Sequence, residues 1–129
     1  MKVGILIIGS LLWSNDNNPN DNIRKIWRDE NLIIKDKIHV KVPIRYERIS
    51  KNNITTMIFS NSMKKKEGLG YIVPIKKNIT NSEELEKEIQ DLSSAEGLKG
   101  NITGNWGTIC YLKNKAKLSN NDRKIIDKI

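Results

Sequence analysis

The sequence predicts an α+β domain, and three observations carry that reading. Apolar residues recur with a period of two in some segments and at helical spacing in others, in the order strand, helix, three strands, helix, strand, helix. The chain has 129 residues, 37% hydrophobic and 29% charged, which suits one packed core rather than disorder. Short polar turns separate the segments, and neither a repeat nor a linker divides residues 1–129 into more than a single domain.

Val3 to Ile8 is too short and too rich in β-branched residues for a helix. Its apolar character on both faces predicts a central strand covered on both sides. It stops at Gly9-Ser10, before Leu11, Leu12 and Trp13. Two readings fit that ending: a turn that ends a buried strand, and a binding loop whose bare backbone approaches a ligand. Ser14 to Asn22, dense in Asn and Asp around Pro19, reads as a loop. Ile23, Ile26 and Trp27 then predict a short amphipathic helix of about two to three turns, with Asn20 or Asp21 as its cap.

From Ile38 the period changes. Ile38, Val40, Val42, Ile44 and Tyr46 alternate with polar residues and Pro43, a long strand with one apolar face. Pro43 has no N–H to give a ladder, so the strand is expected at an edge or with a bulge there. Lys51-Asn52-Asn53 reads as a turn and Ile54 to Phe59 as the returning strand of a hairpin. The lysine-rich turn Met63 to Glu67 leads through Gly70 to a strand over Tyr71 to Ile75. A helix capped by Thr80 or Ser82 follows, with Leu85, Ile89 and Leu92 as its buried stripe and Gly97 as its stop. Trp106 to Leu112 is the last predicted strand, and Ser119 to Ile129 a further helix with Ile125, Ile126 and Ile129 on one side.

The formal net charge is +8, yet residues 1–34 are balanced, so the surplus lies beyond Ile34, in Lys35, Lys37, Lys41, Lys64 to Lys66 and the segment Lys113 to Lys128. That balance suits a small anionic partner, a nucleotide or nucleic acid, although solvated lysines produce it too. No aromatic residue interleaves with Lys64 to Lys66, which makes nucleic acid the weaker partner. The exception is Tyr46 between Arg45 and Arg48, and Arg45 is read as a pocket residue facing an acidic ligand. Trp13, Trp27 and Trp106 sit at spacings more common in core packing than in base stacking. Cys110 is the single cysteine, so an internal disulfide is excluded and a cytoplasmic setting is expected. Lys2 and the apolar run resemble a signal peptide only faintly, since Gly9-Ser10 interrupts the run and no small-residue cleavage site follows. No segment reaches the roughly 18 apolar residues of a membrane helix, so no membrane partner is expected. There is no Gly-x-Ser-x-Gly elbow, Walker-type loop or Cys/His metal spacing.

One residue breaks the helical pattern. Eleven steps of roughly 100° carry the stripe from Leu85 back to Glu96, within about 20° of the same direction. A carboxylate there faces the core and sits at the negative end of the helix dipole, and both circumstances raise its pKa. A raised carboxylate suits a general base near neutral pH. The competing readings are that the helix unwinds at Ser93-Ser94 and turns Glu96 to solvent, or that Glu96 pairs with Arg45 or a lysine.

Taken together, Ile8-Gly9-Ser10-Leu11 after the first strand and the segment Glu83 to Gly97 ending in Glu96-Gly97 resemble the γ-glutamylcyclotransferase family. That family opens on Tyr-Gly-Ser followed by Leu or Asn, and its catalytic glutamate precedes a glycine after a helix. VKVPIRYERIS and GLGYIVPI also resemble its second strand and its glycine-containing strand, and the likeness runs in order over residues 3 to 112. Ile8 stands where the family has tyrosine, and Trp106 is the nearest aromatic after Glu96-Gly97. The resemblance implies a small mixed β-barrel with flanking helices. It also implies an intramolecular reaction in which the α-amine of a γ-glutamyl group attacks its own γ-carbonyl and releases 5-oxoproline. Glu96 would be the catalytic acid/base, and the first loop (Ile8, Gly9, Ser10, Leu11, Leu12) with Arg45 and Trp106 would hold the substrate, its backbone amides facing carboxylate or carbonyl oxygens. The resemblance requires no metal or cofactor. A non-catalytic module of the same fold, sequestering a small anionic ligand such as a nucleotide, is the alternative. The oligomeric state, a homo-oligomer included, stays open.

Overall fold

A computed structural model of the chain describes residues 1–13, 19–49, 53, 55–60, 67–98, 103–104, 107–108 and 118–128. The strands are β1 (Gly4–Ile7), β2 (Ile38–Val42), β3 (Ile44–Ile49), β4 (Thr55–Phe59), β5 (Gly68–Pro74), β6 (Thr103–Gly104) and β7 (Gly107–Thr108). The helices are α1 (Pro19–Asn31), α2 (Ser82–Ala95) and α3 (Asn120–Ile126), with 3-10 turns over Ser10–Leu12 and Ile34–Asp36. β1, β5 and β2 form a three-stranded sheet in that order, while β3–β4 and β6–β7 are two-stranded. Every described pairing is antiparallel. The α+β class therefore holds, but no closed or mixed barrel forms among the described residues.

The core lies where one face of the three-stranded sheet meets the helices. Ile7 of β1 and Val73 of β5 are buried there with Leu11, Trp27, Leu32, Ala95 and Ile125. The opposite face carries the row Leu6, Ile72 and Ile38 in register, and Ile38 is 58% exposed. Two expectations change accordingly. Among the described residues β1 is an edge strand and β5 the central one, and the sheet is covered by helices on one face. An all-apolar run reads as central from sequence, but Leu6 is apolar on the less covered side.

Pro43 divides the expected long strand in two. Without an N–H it cannot continue the ladder. β2 ends one residue before it, paired with β5, and β3 begins one residue after it, paired with β4. The hairpin is as expected, with Ile44 opposite Phe59 and Ile49 opposite Thr55, and a bulge between Tyr46 and Arg48. The extra residue Glu47 restores parity, so Ile44, Tyr46 and Ile49 share a face with Met57 and Phe59. Ile44 is the buried member of that face. It crosses to the first sheet over Gly68, where an added Cβ would lie 2.4 Å from its Cγ1.

Helix α1 begins earlier than the loop reading of Ser14 to Asn22 allows. Pro19 is its first residue, a position that tolerates proline's fixed φ and missing N–H, and the helix runs 13 residues. Its buried side also holds only part of the expected stripe. Trp27 is buried, but Ile23 and Ile26 are 51% and 48% exposed, while Asp21 and Arg28 are each 6% exposed. The cause is tertiary: the buried side of α1 meets polar groups of the first loop and of the α2 terminus.

The cap of α2 is Asn81, between the two expected residues. Its side chain accepts from the Glu84 N–H at 2.9 Å, and the Glu84 carboxylate accepts from the Thr80 N–H and hydroxyl. Leu85 and Leu92 pack against the core. At the other end Gly97 stops the helix at φ 78°, with the Gly97 N–H bonded to the Ser94 carbonyl and the Leu98 N–H to the Ser93 carbonyl. That bond pair is a Schellman cap, which glycine makes without strain. α3 starts at its Ser119 cap and buries Ile125 and Ile126; Ile129 lies outside the described residues. Of the expected strand Trp106 to Leu112, only Gly107–Thr108 is described, paired with Thr103–Gly104. Among the described residues no helix is long and apolar enough to cross a membrane.

Candidate functional site

β1 ends at Ile7, and the chain bends at Gly9 into the turn Ser10–Leu12. The sharp end of the apolar run is therefore a turn. Neither conformation nor packing requires glycine at position 9: its φ is not positive, and a Cβ added there meets nothing within 4 Å among the described residues. The Leu11 side chain is buried in the core, which anchors the turn, while Ile8 and Leu12 are half-buried. The Leu11 carbonyl accepts from Arg28 Nη1 at 3.1 Å, in a buried contact.

Glu96 is the C-cap of α2, and its own N–H bonds to the Leu92 carbonyl at 2.9 Å. The helix does not unwind at Ser93-Ser94; Ser93 is wholly buried and Ala95 nearly so, one on either side of the Glu96 direction. The Glu96 side chain is 24% exposed, and its carboxylate lies 3.5 Å from Arg24 Nη2. Its partner is thus Arg24, neither Arg45 nor a lysine. Burial pushes the Glu96 carboxyl above the ordinary glutamate range, and the Arg24 guanidinium opposes that rise without cancelling it.

Arg24 in turn lies 3.3 Å from the carboxylate of Asp21 through Nη1. Its Nε is buried without a hydrogen-bond partner. Asp21, Arg24 and Arg28 stand at i, i+3 and i+7, one face of α1. That face gathers the two motifs. Arg24 takes Glu96, and one turn later Arg28 takes Leu11, so the helix-terminal carboxylate and the first turn meet the same side of α1. Sequence reasoning missed all three α1 residues. Their signal was the helical spacing of three charges, hidden by the rule that charged residues face water.

The other expected site residues fall elsewhere. Arg45 lies on the β3–β4 hairpin, where its Nε donates to Glu47 at 2.7 Å. The Ser10 side chain, Trp106 and Cys110 lie outside what is described. Trp13, just after the turn and 54% exposed, meets the Tyr71 ring edge-on at 6.1 Å, and His39 meets the same ring at 4.7 Å. A groove of about 350 Å³ opens between α1 and α2, lined by Ile23, Ile26, Trp27 and Glu30 and by Asp91, Ser94 and Ala95. Neither Glu96 nor residues 8–12 line it. Among the described residues no group of three or more His, Cys, Asp or Glu could hold a metal ion.

In comparisons with known proteins, no family model, curated protein or solved structure matches this chain.

Proposed function

We propose that the chain is a cytoplasmic γ-glutamylcyclotransferase-like enzyme that releases 5-oxoproline from a γ-glutamyl amine or peptide, with Glu96 as its acid/base. One observation carries the reading: a partly exposed carboxylate with a raised pKa, fixed by a Schellman cap and held to the same face of α1 as the Gly-Ser-Leu turn. At the level of fold the reading is supported only by the α+β class, antiparallel sheets with flanking helices; the family's mixed barrel is not among the described strands.

The chemistry asks little else of the chain. Glu96 removes a proton from the substrate's α-ammonium, and the freed amine attacks the γ-carbonyl carbon of the same molecule. Backbone amides of the Ser10–Leu12 turn face the developing oxyanion. The γ C–N bond then breaks as Glu96 returns its proton to the leaving nitrogen, the ring nitrogen gives its second proton to the departing amine, and 5-oxoproline and an ammonium depart. Nucleophile and electrophile belong to one substrate, so holding it in the cyclising conformation supplies much of the acceleration.

The test is 5-oxoproline release from γ-glutamyl amides, measured by mass spectrometry. Glu96→Gln keeps the shape and removes the basicity, so the variant is expected to fold, to bind substrate and to lose roughly two to four orders of magnitude in turnover. Equal turnover in the variant would refute the role of Glu96. The second reading is a non-catalytic module for a small anionic ligand with a flat ring. It is favoured by the exposed Trp13 and its Tyr71 and His39 neighbours beside the turn, since such rings stack on bases. A nucleotide released from purified, denatured protein would select it.

A further inference from the structure

We propose that Arg24 is a positioning residue for Glu96: clamped from behind by the buried Asp21, its guanidinium holds the Glu96 carboxylate to the face of α1 that also meets the first turn. The proposal rests on the reading of Glu96 as the proton carrier. A carboxylate on a helix terminus has two torsional routes away from its task, through the backbone and through its own side chain. The Schellman cap closes the first by bonding the backbone on both sides of Glu96. Arg24 closes the second, 3.5 Å from Oε2. Arg24 is itself held, because Asp21, one turn earlier on α1, takes Nη1 at 3.3 Å and is almost wholly buried. A planar guanidinium presents its donors in a rigid fork, so an acid on each Nη fixes its plane as well as its position.

The arrangement is also electrostatic. Burial favours the neutral form of Glu96, which cannot accept a proton, and the Arg24 charge works against that. Asp21 and Glu96 together flank the single guanidinium of Arg24, an excess of acid that attracts a substrate ammonium. The surrounding charges are few. On α1 they are Arg28, engaged with Leu11, and Glu30, which lines the groove between α1 and α2. On α2 they are Glu88 and Asp91, the latter bonded to Lys87. On α3, which packs against α2, they are Asp122, Arg123 and Lys124, with Asp122 3.7 Å from the Met1 ammonium. The Ser10–Leu12 turn contributes none.

The experiment combines two readouts on the full chain: the carbon-13 titration of the Glu96 carboxyl, and the pH profile of 5-oxoproline release. In Arg24→Met the midpoint and the acid limb of kcat/KM are expected to move together to higher pH. Turnover near neutrality should fall on the order of tenfold and return as pH rises. Arg24→Lys, which keeps the charge, should recover most of it. Asp21→Asn supplies the opposite sign without depending on Arg24→Met folding, because an unshared Arg24 should move the midpoint to lower pH. A midpoint unmoved in Arg24→Met and Asp21→Asn, or a loss of turnover equal at every pH, would overturn the proposal. Absence of 5-oxoproline from the wild-type chain would instead overturn the enzyme reading, while the carboxyl titration still decides whether Arg24 governs Glu96.

Discussion

A single side chain, Glu96, carries opposing demands of stability and chemistry. Its folded-state pKa is raised, first by burial, with Arg24 only partly offsetting. For an acid shifted in that direction, the folded state holds the proton more tightly than the unfolded chain. The associated stability is fully present below the unfolded pKa and is lost as pH rises through the folded one. Ionising the buried carboxylate is therefore a net cost to the fold. Glu96→Gln should be more stable than the wild-type chain at neutral pH, with the difference vanishing in acid, where both side chains are neutral. Urea denaturation across that pH range would read it, and a glutamine variant less stable at neutral pH would contradict the sign. Glu96 is also where sequence reasoning reached furthest, because eleven steps of helix geometry aim its side chain whatever packs around it. Its partner was not legible, since Arg24 is brought to it by the tertiary fold.

At the scale of an element, α2 shows why some segments can be read from sequence and others cannot. Its start and stop depend on residues within a few positions of one another. The structure moves the cap from Thr80 or Ser82 to Asn81 and leaves the stripe Leu85, Ile89 and Leu92 half-buried beside the buried Glu88, Ser93 and Ala95. Asn81→Ala should cost about 1 kcal/mol, the usual scale for a lost N-cap, measurable as a lowered denaturation midpoint. The Thr80 N–H, and then its hydroxyl, hold the Glu84 carboxyl below the ordinary range. A depressed acid contributes stability above its unfolded pKa and loses it as pH falls through the folded value. The capped end of α2 should accordingly weaken in acid. α1 is the contrary case. Its apolar residues have helical spacing, and yet its charged face is inward because a backbone carbonyl from the first turn and the Glu96 carboxylate lie there. Local pattern cannot encode a distant hydrogen-bond acceptor.

For the molecule as a whole, the link between its two larger sheets was visible only as a proline. Alternation from Ile38 to Tyr46 looks continuous, and Pro43 marks the place where one ladder ends and another begins. The packing bridge was not visible at all: Ile44 lies across the backbone of Gly68, at the first residue of β5. Gly68→Ala should force the Ile44 side chain aside and cost about 1–3 kcal/mol, the scale of overpacking in a close-packed site. Thermal denaturation of that variant in a cycle with Ile44→Ala, which removes both clashing carbons, would test the bridge. An equal cost of Gly68→Ala with and without Ile44→Ala would show that the contact does not carry the effect.

The interruption at Pro43 also sets how the molecule should breathe. Proline offers no amide hydrogen, and its carbonyl takes the Ser60 N–H at 2.8 Å, so the two ladders meet at a seam rather than sharing a continuous run of bonds. A two-stranded ribbon is marginal by itself, and opening β3 from β4 leaves the β1–β5–β2 ladder intact. In deuterium, the amides of the hairpin should exchange through a local opening, while those of Val73 and its β5 neighbours wait for global unfolding. Pro43 would then be a border between two units of cooperativity within one chain, and native-state exchange at low denaturant would locate it by the first amide on either side.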